Sequence, residues 1–217
     1  MRIQQHHFSN HKWEAINQQN CDGTFNCCLV LVFGCIDLIN SADIYEHLKA
    51  LYPVADIVFA STAGEIAHDT VYDKSIIATA IEFTDTTIKC ASLALTDDRD
   101  SYTTGAELMD TLSGDNLAYV FLISDGTKIN GSELVAGFNS RNQQNIPVSG
   151  GLAGDGDRFQ KTYTGLNMVP SEGNVIAVGF YGEHIRIGHG SVGGWDEFGH
   201  ERTITRSDKN ILYEIDN

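Results

Sequence analysis

The chain of 217 residues is poor in basic side chains, since 14 Lys and Arg stand against 29 Asp and Glu, for a formal charge of −15. No run of basic residues offers a patch that could attract phosphates or anionic lipids. Long apolar runs are also missing, because the longest, around residues 28–33 and 119–123, are far shorter than the roughly 20 residues of a bilayer-spanning helix. We therefore expect a soluble protein with no nucleic acid or membrane partner.

Signals for export and for familiar catalysis are missing as well. The first 20 residues hold no apolar block of signal-peptide length. Five cysteines are an odd number, and Cys27 and Cys28 are adjacent, which favours a reduced cytoplasmic chain over a disulfide scaffold. The chain has no G-x-S-x-G, P-loop, H-E-x-x-H or C-x-x-C motif. We expect no enzyme, and the alternative of a hydrolase would have to use Cys35 or Ser124 as its nucleophile.

Short apolar segments rich in Val, Ile and Phe alternate with helical patterns, which predicts a mixed α/β fold. Residues 29–33, 57–60 and 118–124 are predicted as buried strands, and 146–149 as a further strand. Ser41 is expected to cap a helix with Ile44, Leu48 and Leu51 at helical spacing that ends before Pro53, and further helices are predicted at 105–112 and 132–138. Antiparallel hairpins are predicted at 75–83 with 87–95 and at 174–181 with 184–189.

The order strand, helix, strand, loop, hairpin occurs twice, which indicates an internal duplication of one α/β unit. The second strand of each half leads into matching loops, residues 61–65 (STAGE) and 151–155 (GLAGD), with Ala-Gly followed by a carboxylate. We expect these loops to face each other and to form a ligand cleft, because open α/β sheets bind ligands at the carboxyl ends of their strands.

Several side chains in these loops have chemistry that suits a ligand. Glu65 and Asp155 occupy matching positions and could bind an ammonium group, and Arg158 could hold a ligand carboxylate. The segment 125–132 links a strand to a helix, where either Asn130 or Ser132 could cap the helix. Solvated turns and helix caps explain the same residues without a ligand.

The segment 188–193 matches G-x-G-x-x-G, but no helical pattern follows it, so a dinucleotide site is not indicated. His189 lies between two glycines and could ligate iron or zinc. It could equally be a strand-end histidine that bonds to a backbone carbonyl, since no second ligand stands at a diagnostic spacing.

Separated motifs in order resemble the FIST family, the "F-box and intracellular signal transduction" sensory domain. They are FASTAGE at 59–65, LISDG at 122–126 with NGSEL at 130–134, GGLAGD at 150–155, and GHGS at 188–191 with GGW at 193–195. The resemblance implies an N-terminal FIST domain at 29–202, built from subunits at about 29–113 and 117–202. Residues 1–28 would be an N-terminal segment, and 203–217 the start of a linker or C-terminal FIST domain.

The resemblance further implies a cytoplasmic sensor of a small ligand such as an amino acid. The alternative that it implies is a haem protein that senses nitric oxide and reports to a histidine kinase or a cyclic-di-GMP enzyme, with His189 as the candidate haem ligand. The candidate ligand-binding residues are Ser61, Thr62, Gly64, Glu65, Asp125, Gly126, Asn130, Ser132, Gly151, Gly154, Asp155, Arg158 and Trp195.

Overall fold

The computed structural model describes residues 1–19, 23–96, 98–190, 193, 198–208 and 211–216. It divides into two compact units, Met1–Ile185 and Arg186–Asn217. The strands are β1 (Arg2–Ser9), β2 (Lys12–Gln19), β3 (Leu29–Cys35), β4 (Asp56–Thr62), β5 (Glu65–Ala67), β6 (Thr70–Tyr72), β7 (Ile76–Glu82), β8 (Thr87–Ala94), β9 (Leu117–Ser124), β10 (Val148–Leu152), β11 (Thr164–Leu166), β12 (Asn174–Tyr181), β13 (Ile204–Asp208) and β14 (Ile211–Ile215). The helices are α1 (Ile36–Ile39), α2 (Ala42–Leu51), α3 (Ser101–Leu112) and α4 (Gly131–Arg141). The predicted mixed α/β class is confirmed.

The first unit contains two mixed sheets. The first sheet has six strands in the order β11-β4-β3-β7-β1-β2, and the second has four in the order β10-β9-β12-β8. In each, two parallel strands with a helical connection lie beside an antiparallel strand: β3 and β4, joined through α1 and α2, beside β7, and β9 and β10, joined through α4, beside β12. The small hairpin β5-β6 forms a separate sheet.

Alternation along the strands assigns the two faces of each sheet. In β3, Leu29 packs in a core that joins both sheets, whereas Val30 packs with α2 in the core on the other face. In β9, Ile123 belongs to the same inter-sheet core, whereas Leu122 packs with α3 and α4. The unit is therefore a four-layer arrangement of helix, sheet, sheet and helices, which explains why its central strands are apolar on both faces.

The two predicted hairpins are wrong, although β7, β8 and β12 all exist. β7 already has β3 on one edge and β1 on the other, so β8 crosses to the second sheet and pairs with β12. β12 in turn has both edges occupied by β9 and β8, and residues 184–189 form no strand. A strand has only two hydrogen-bonding edges, and in both cases a distant strand occupies the edge that the hairpin needed.

The two sheets repeat one topology, with β4-β3-β7-β1 matching β10-β9-β12-β8 in spatial and chain order. The repeats therefore start at Arg2 and Thr87, earlier along the chain than the predicted starts at 29 and 117. Sequence reasoning missed β1 and β2 because their side chains are mostly polar. The two strands form a hairpin that extends the first sheet through β1.

Helix α2 begins and ends where the sequence predicts, with Ser41 at its N-cap position, although the Ser41 side chain makes no capping hydrogen bond. Of the three apolar residues at helical spacing, Ile44 and Leu48 are buried and Leu51 is 47% exposed. None of the four helices in the described part of the chain has the length and hydropathy of a bilayer-spanning segment. In the second unit, β13 and β14 pair as an antiparallel hairpin.

Candidate ligand cleft

The two Ala-Gly-carboxylate loops meet at the carboxyl ends of β4 and β10. The backbone N–H of Gly154 donates to the carbonyl of Ser61 at 2.8 Å. A Cβ on Gly154 would lie 3.0 Å from the backbone nitrogen of Ala63, so the loops contact each other backbone to backbone. The prediction that these loops face each other is confirmed.

An apolar chamber of about 400 Å³ lies between the sheets beside this contact. Its walls come from inward-facing strand residues of both sheets and from the glycine-rich end of β10. The lining residues are Phe33, Ala60, Ser61, Thr62, Ala63, Phe121, Ile123, Gly150, Gly151, Leu152, Ala153 and Gly154. Four of the predicted site residues, Ser61, Thr62, Gly151 and Gly154, are therefore in one cavity.

A polar chamber of about 240 Å³ adjoins the apolar one and shares Thr62 and Ala63 with it. Most of its lining side chains are charged. The lining residues are Cys35, Asp37, Thr62, Ala63, Gly64, Glu65, Asp73, Lys74, Gly156, Asp157 and Arg158. Thr62, Gly64, Glu65 and Arg158 were predicted as site residues, and the two chambers together form what we call the cleft.

Glu65 lines the polar chamber, but its carboxylate is occupied by the protein. One oxygen accepts from the Thr62 hydroxyl at 2.6 Å. The other accepts from the backbone N–H and the hydroxyl of Ser75, at 3.2 and 2.8 Å. Glu65 is 2% exposed, so these bonds compensate for the burial of its charge and hold loop 62–65 against the start of β7.

Asp155 is buried as well, and its partners differ. Its Oδ2 accepts from the backbone N–H groups of Gln160 and Lys161 at 3.1 and 3.2 Å. Its Oδ1 lies 3.1 Å from Nε of Arg158, whose NH1 reaches Asp37 at 2.9 Å. Arg158 therefore ties the loop of the second repeat to α1 of the first, and its hydrogen bond to Asp37 holds the pKa of that carboxyl below its usual value.

Asp125, at the end of β9, lies outside both chambers. Its Oδ1 accepts from the N–H and hydroxyl of Thr127 and the N–H of Lys128, and its Oδ2 accepts from the N–H of Gly173. Burial acts to raise the pKa of the Asp125 carboxyl, but the donors at Gly173, Lys128 and Thr127 outweigh burial and lower it. Asp125 organises the turns on which β9 and β12 depend.

The other predicted residues of loop 125–132 also line neither chamber. Gly126 packs so closely that a Cβ would lie 2.2 Å from the carbonyl oxygen of Ala153. Asn130 caps α4 by accepting from the N–H of Glu133, which decides between the two predicted caps. Ser132 is exposed in the first turn of that helix.

Sequence reasoning missed the charged groups that are free to meet a ligand in the polar chamber. Within the described residues, the side chains of Lys74, Asp73 and Asp157 have no hydrogen bond or ion pair. Lys74 follows β6 in a left-handed conformation with φ of +53°. Its position in a turn gave no sequence signal, because the chamber also takes residues from two other loops, one of them more than 80 residues further along the chain.

The two predicted nucleophiles have no histidine beside them in these cavities. Cys35 is half-buried in the polar chamber, with Sγ 3.9 Å from Oδ2 of Asp37. Ser124 is buried, and its hydroxyl donates to the carbonyl of Asp125 at 3.3 Å. Among the residues that the structure describes, no histidine lines either chamber.

His189 lies in the second unit, where it is exposed and belongs to no strand or helix. Its neighbours Gly188 and Gly190 have no heavy atom within 4 Å of the position that a Cβ would take. Because His189 is exposed and its flanking glycines face open space, the described residues show no enclosed site for a haem at this histidine. Trp195, the predicted apolar wall of the ligand site, lies outside the described residues.

Residues 28–217 match the family model for the FIST N domain. A search among curated proteins finds no match. Because the family model covers most of the chain, the chain belongs to the FIST family, whose domains are sensory and act in signal transduction.

Proposed function

We propose that this FIST N domain binds a small zwitterion with an apolar side chain, of the amino acid type, in the cleft. The observation that carries the proposal is the pairing of an apolar chamber with a charged one at the shared residues Thr62 and Ala63. Small-molecule sites are largely apolar with a few convergent polar groups. The cleft also lies at the strand ends where the sequence predicts a ligand.

The free charges suit both ends of a zwitterion. The ammonium of Lys74 is available for a carboxylate, and the carboxylates of Asp73 and Asp157 are available for an ammonium group. Glu65 and Asp155, the predicted ammonium ligands, already have internal partners, so we assign them to holding the loops. The side chain of the ligand would enter the apolar chamber against Phe33, Phe121 and Ile123.

A sensor needs a ligand whose affinity differs between two conformations of the protein. The cleft has the geometry for such a difference, because its walls come from both repeats and Arg158 joins them through Asp37. A ligand that holds both walls would change the relative free energies of an open and a closed cleft. Catalysis is not needed for this role.

The direct test is calorimetric titration with L-leucine and two analogues. 3-Methylbutylamine lacks the carboxylate of leucine, and 4-methylpentanoate lacks its amine. We expect leucine to bind at least tenfold more tightly than either analogue, because each analogue leaves one charged group of the chamber unpaired. Equal affinity for all three would contradict a zwitterion site.

A variant that fills the chamber makes the test specific to this cavity. Gly151 has no atom within 4 Å of its Cβ position, so Gly151→Leu adds a side chain in open space at the chamber wall. We expect leucine affinity to fall more than tenfold while stability stays close to that of the wild type. Gly114→Leu is the matched control, because Gly114 lines neither chamber and its nearest atom to a Cβ is 3.8 Å away. Unchanged affinity in Gly151→Leu would place any binding elsewhere.

A further inference from the structure

A second cavity, of about 530 Å³, lies on the outer side of the first sheet. Its walls come from the hairpin β1-β2, from α1 and from α2. Four aromatic side chains line it, Phe8, His11, Trp13 and His47, together with two carboxylates, Asp37 and Asp43. We call it the hairpin pocket. It shares no lining residue with the apolar chamber of the cleft, and Asp37 lies between it and the polar chamber and lines both.

The aromatic wall is held in place by its own packing. The indole of Trp13 stacks on the imidazole of His47, with ring centroids 5.2 Å apart and an interplanar angle of 7°. Phe8, the cross-strand partner of Trp13, packs against it at 5.1 Å. Both Phe8 and Trp13 also contact the core beneath the first sheet. The rings therefore lose little conformational freedom when a ligand binds.

The turn of the hairpin fixes one rim of this pocket. Asn10 and His11 are the two residues between β1 and β2, and both have positive φ, of 49° and 60°. Positive φ at both central positions is the signature of a two-residue type I′ turn, which matches the twist of its strands. His11 is thereby placed at the mouth of the pocket, 6.5 Å from Phe8 between ring centroids.

The charge at this pocket is negative. Asp37 is paired with Arg158 at 2.9 Å. Asp43, in the first turn of α2, has no ion pair or hydrogen bond with any residue that the structure describes. None of the described residues that line the pocket is Lys or Arg. An aromatic wall beside an unpaired carboxylate attracts a cation with apolar groups, because the ring faces carry partial negative charge.

We propose that the hairpin pocket binds an organic ammonium ion, with its cationic group between Asp43 and the aromatic wall and its apolar groups against Phe8 and Trp13. This site goes beyond the ligand proposed for the cleft. The family match does not account for it either, because Phe8, His11 and Trp13 precede residue 28, where the match begins.

Choline and its uncharged isostere 3,3-dimethylbutan-1-ol test the proposal, because they differ in charge and hardly in shape. Trp195→Phe leaves Trp13 as the sole tryptophan, since the chain has two, so its indole N–H gives a single resonance in a ¹⁵N spectrum. We expect choline to shift this resonance saturably and the isostere to bind at least about fivefold more weakly. Equal binding of the two overturns the cation assignment, and no shift with either overturns the site.

Charge variants on one helix separate a specific site from general attraction to an acidic protein. Asp43→Asn should weaken choline binding by about fivefold. Glu46→Gln is the matched control, because Glu46 is exposed on the same helix, does not line the pocket and loses the same charge. Affinity that falls equally in both variants overturns the proposal. Gly151→Leu should leave choline binding unchanged, so the two proposed sites can fail independently.

Discussion

The two repeats share their inner architecture and differ on the outside. In both, two parallel strands and an antiparallel one face the common core between the sheets. Outside, the second repeat is covered by two helices in close contact, α3 and α4, whereas the first is covered by one long helix, α2, and its sheet is extended at one edge by β2 of the hairpin β1-β2. The inner face of each sheet must fit the inner face of the other sheet, whereas each outer face needs only to be covered. The aromatic and acidic hairpin pocket lies on the outer side of the first sheet.

The matching carboxylates show the same contrast at atomic scale. Glu65 is held by two hydroxyls and one backbone N–H, without a cation. Asp155 is held by two backbone N–H groups and the guanidinium of Arg158. The loops thus keep a buried carboxylate at the same place while its partners differ, which indicates that the carboxylate serves the loop shape in both repeats.

The largest expected effect comes from the helix pair of the second repeat. A Cβ on Gly137 would lie 1.9 Å from the carbonyl oxygen of Tyr102, so α3 and α4 touch through their backbones. Gly137→Ala must separate the helices, and we expect it to lower the free energy of unfolding by at least about 3 kcal/mol. Denaturant unfolding measures this, with Gly114→Ala as the control expected to stay near the wild type. A small effect in Gly137→Ala would mean that the two helices can move apart at little cost, and that their close contact does not distinguish the outside of the second repeat from that of the first.

Sequence patterns predicted the central strands and the helices well. Residues 29–33 and 118–124 are apolar on both faces because each strand is covered by a packed layer on both sides of its sheet. They failed where pairing depends on distant strands. The segment 75–95 looked like a hairpin, yet β1 occupies the edge of β7 that β8 would need. The polar alternation of β1 and β2 gave no sign that they complete the first repeat.

The buried carboxylate of Asp125 follows β9, and no carboxylate stands directly after β3 in the first repeat. Replacing Asp125 therefore removes hydrogen bonds that only the second repeat has. Asp125→Asn places an amide N–H₂ among four donors, and we expect a loss of about 2 to 3 kcal/mol in the free energy of unfolding. Because the folded pKa of this carboxyl is lowered, its contribution is complete above the unfolded pKa of about 4 and is lost as pH falls towards the lower folded value. Unfolding of wild type and variant at pH 7 and pH 3 measures this. A difference that did not shrink at pH 3 would contradict the assignment.

The site was predicted in part for the same physical reason. Matching loops at strand ends signalled where the cleft lies, since strand-end geometry is local. Which side chains face the ligand depends on the contact between repeats, so no sequence pattern indicated Lys74 and Asp73. Asp125 and Asn130 were predicted as ligand-binding residues, but their side chains accept backbone hydrogen bonds in a turn and at a helix cap.

Paired substitutions of the two loop carboxylates sharpen their comparison. In Glu65→Gln, the amide can still accept from Ser75 and donate to Thr62, so we expect a cost of about 1 kcal/mol. In Asp155→Asn, an amide N–H₂ would face the guanidinium of Arg158, so we expect about 2 kcal/mol. Thermal and denaturant unfolding of both variants measure the costs. Equal costs would show that the guanidinium adds nothing to the loop of the second repeat.

The smallest effect is expected at the ion pair that joins the repeats. Asp37 and Arg158 are exposed, with relative side-chain exposures of 62% and 40%, so solvent and salt screen their attraction. Asp37→Asn should lower the midpoint of thermal unfolding slightly in dilute buffer and leave it unchanged in 1 M salt, where an exposed pair contributes nothing. Asp110→Asn, which breaks the exposed pair with Arg141, is the matched control inside one repeat. If the two variants lower the midpoint equally yet only Asp37→Asn changes leucine binding, Asp37 acts on the ligand in the polar chamber that it lines and not through stability, because the control loses an exposed ion pair of the same kind away from the cleft.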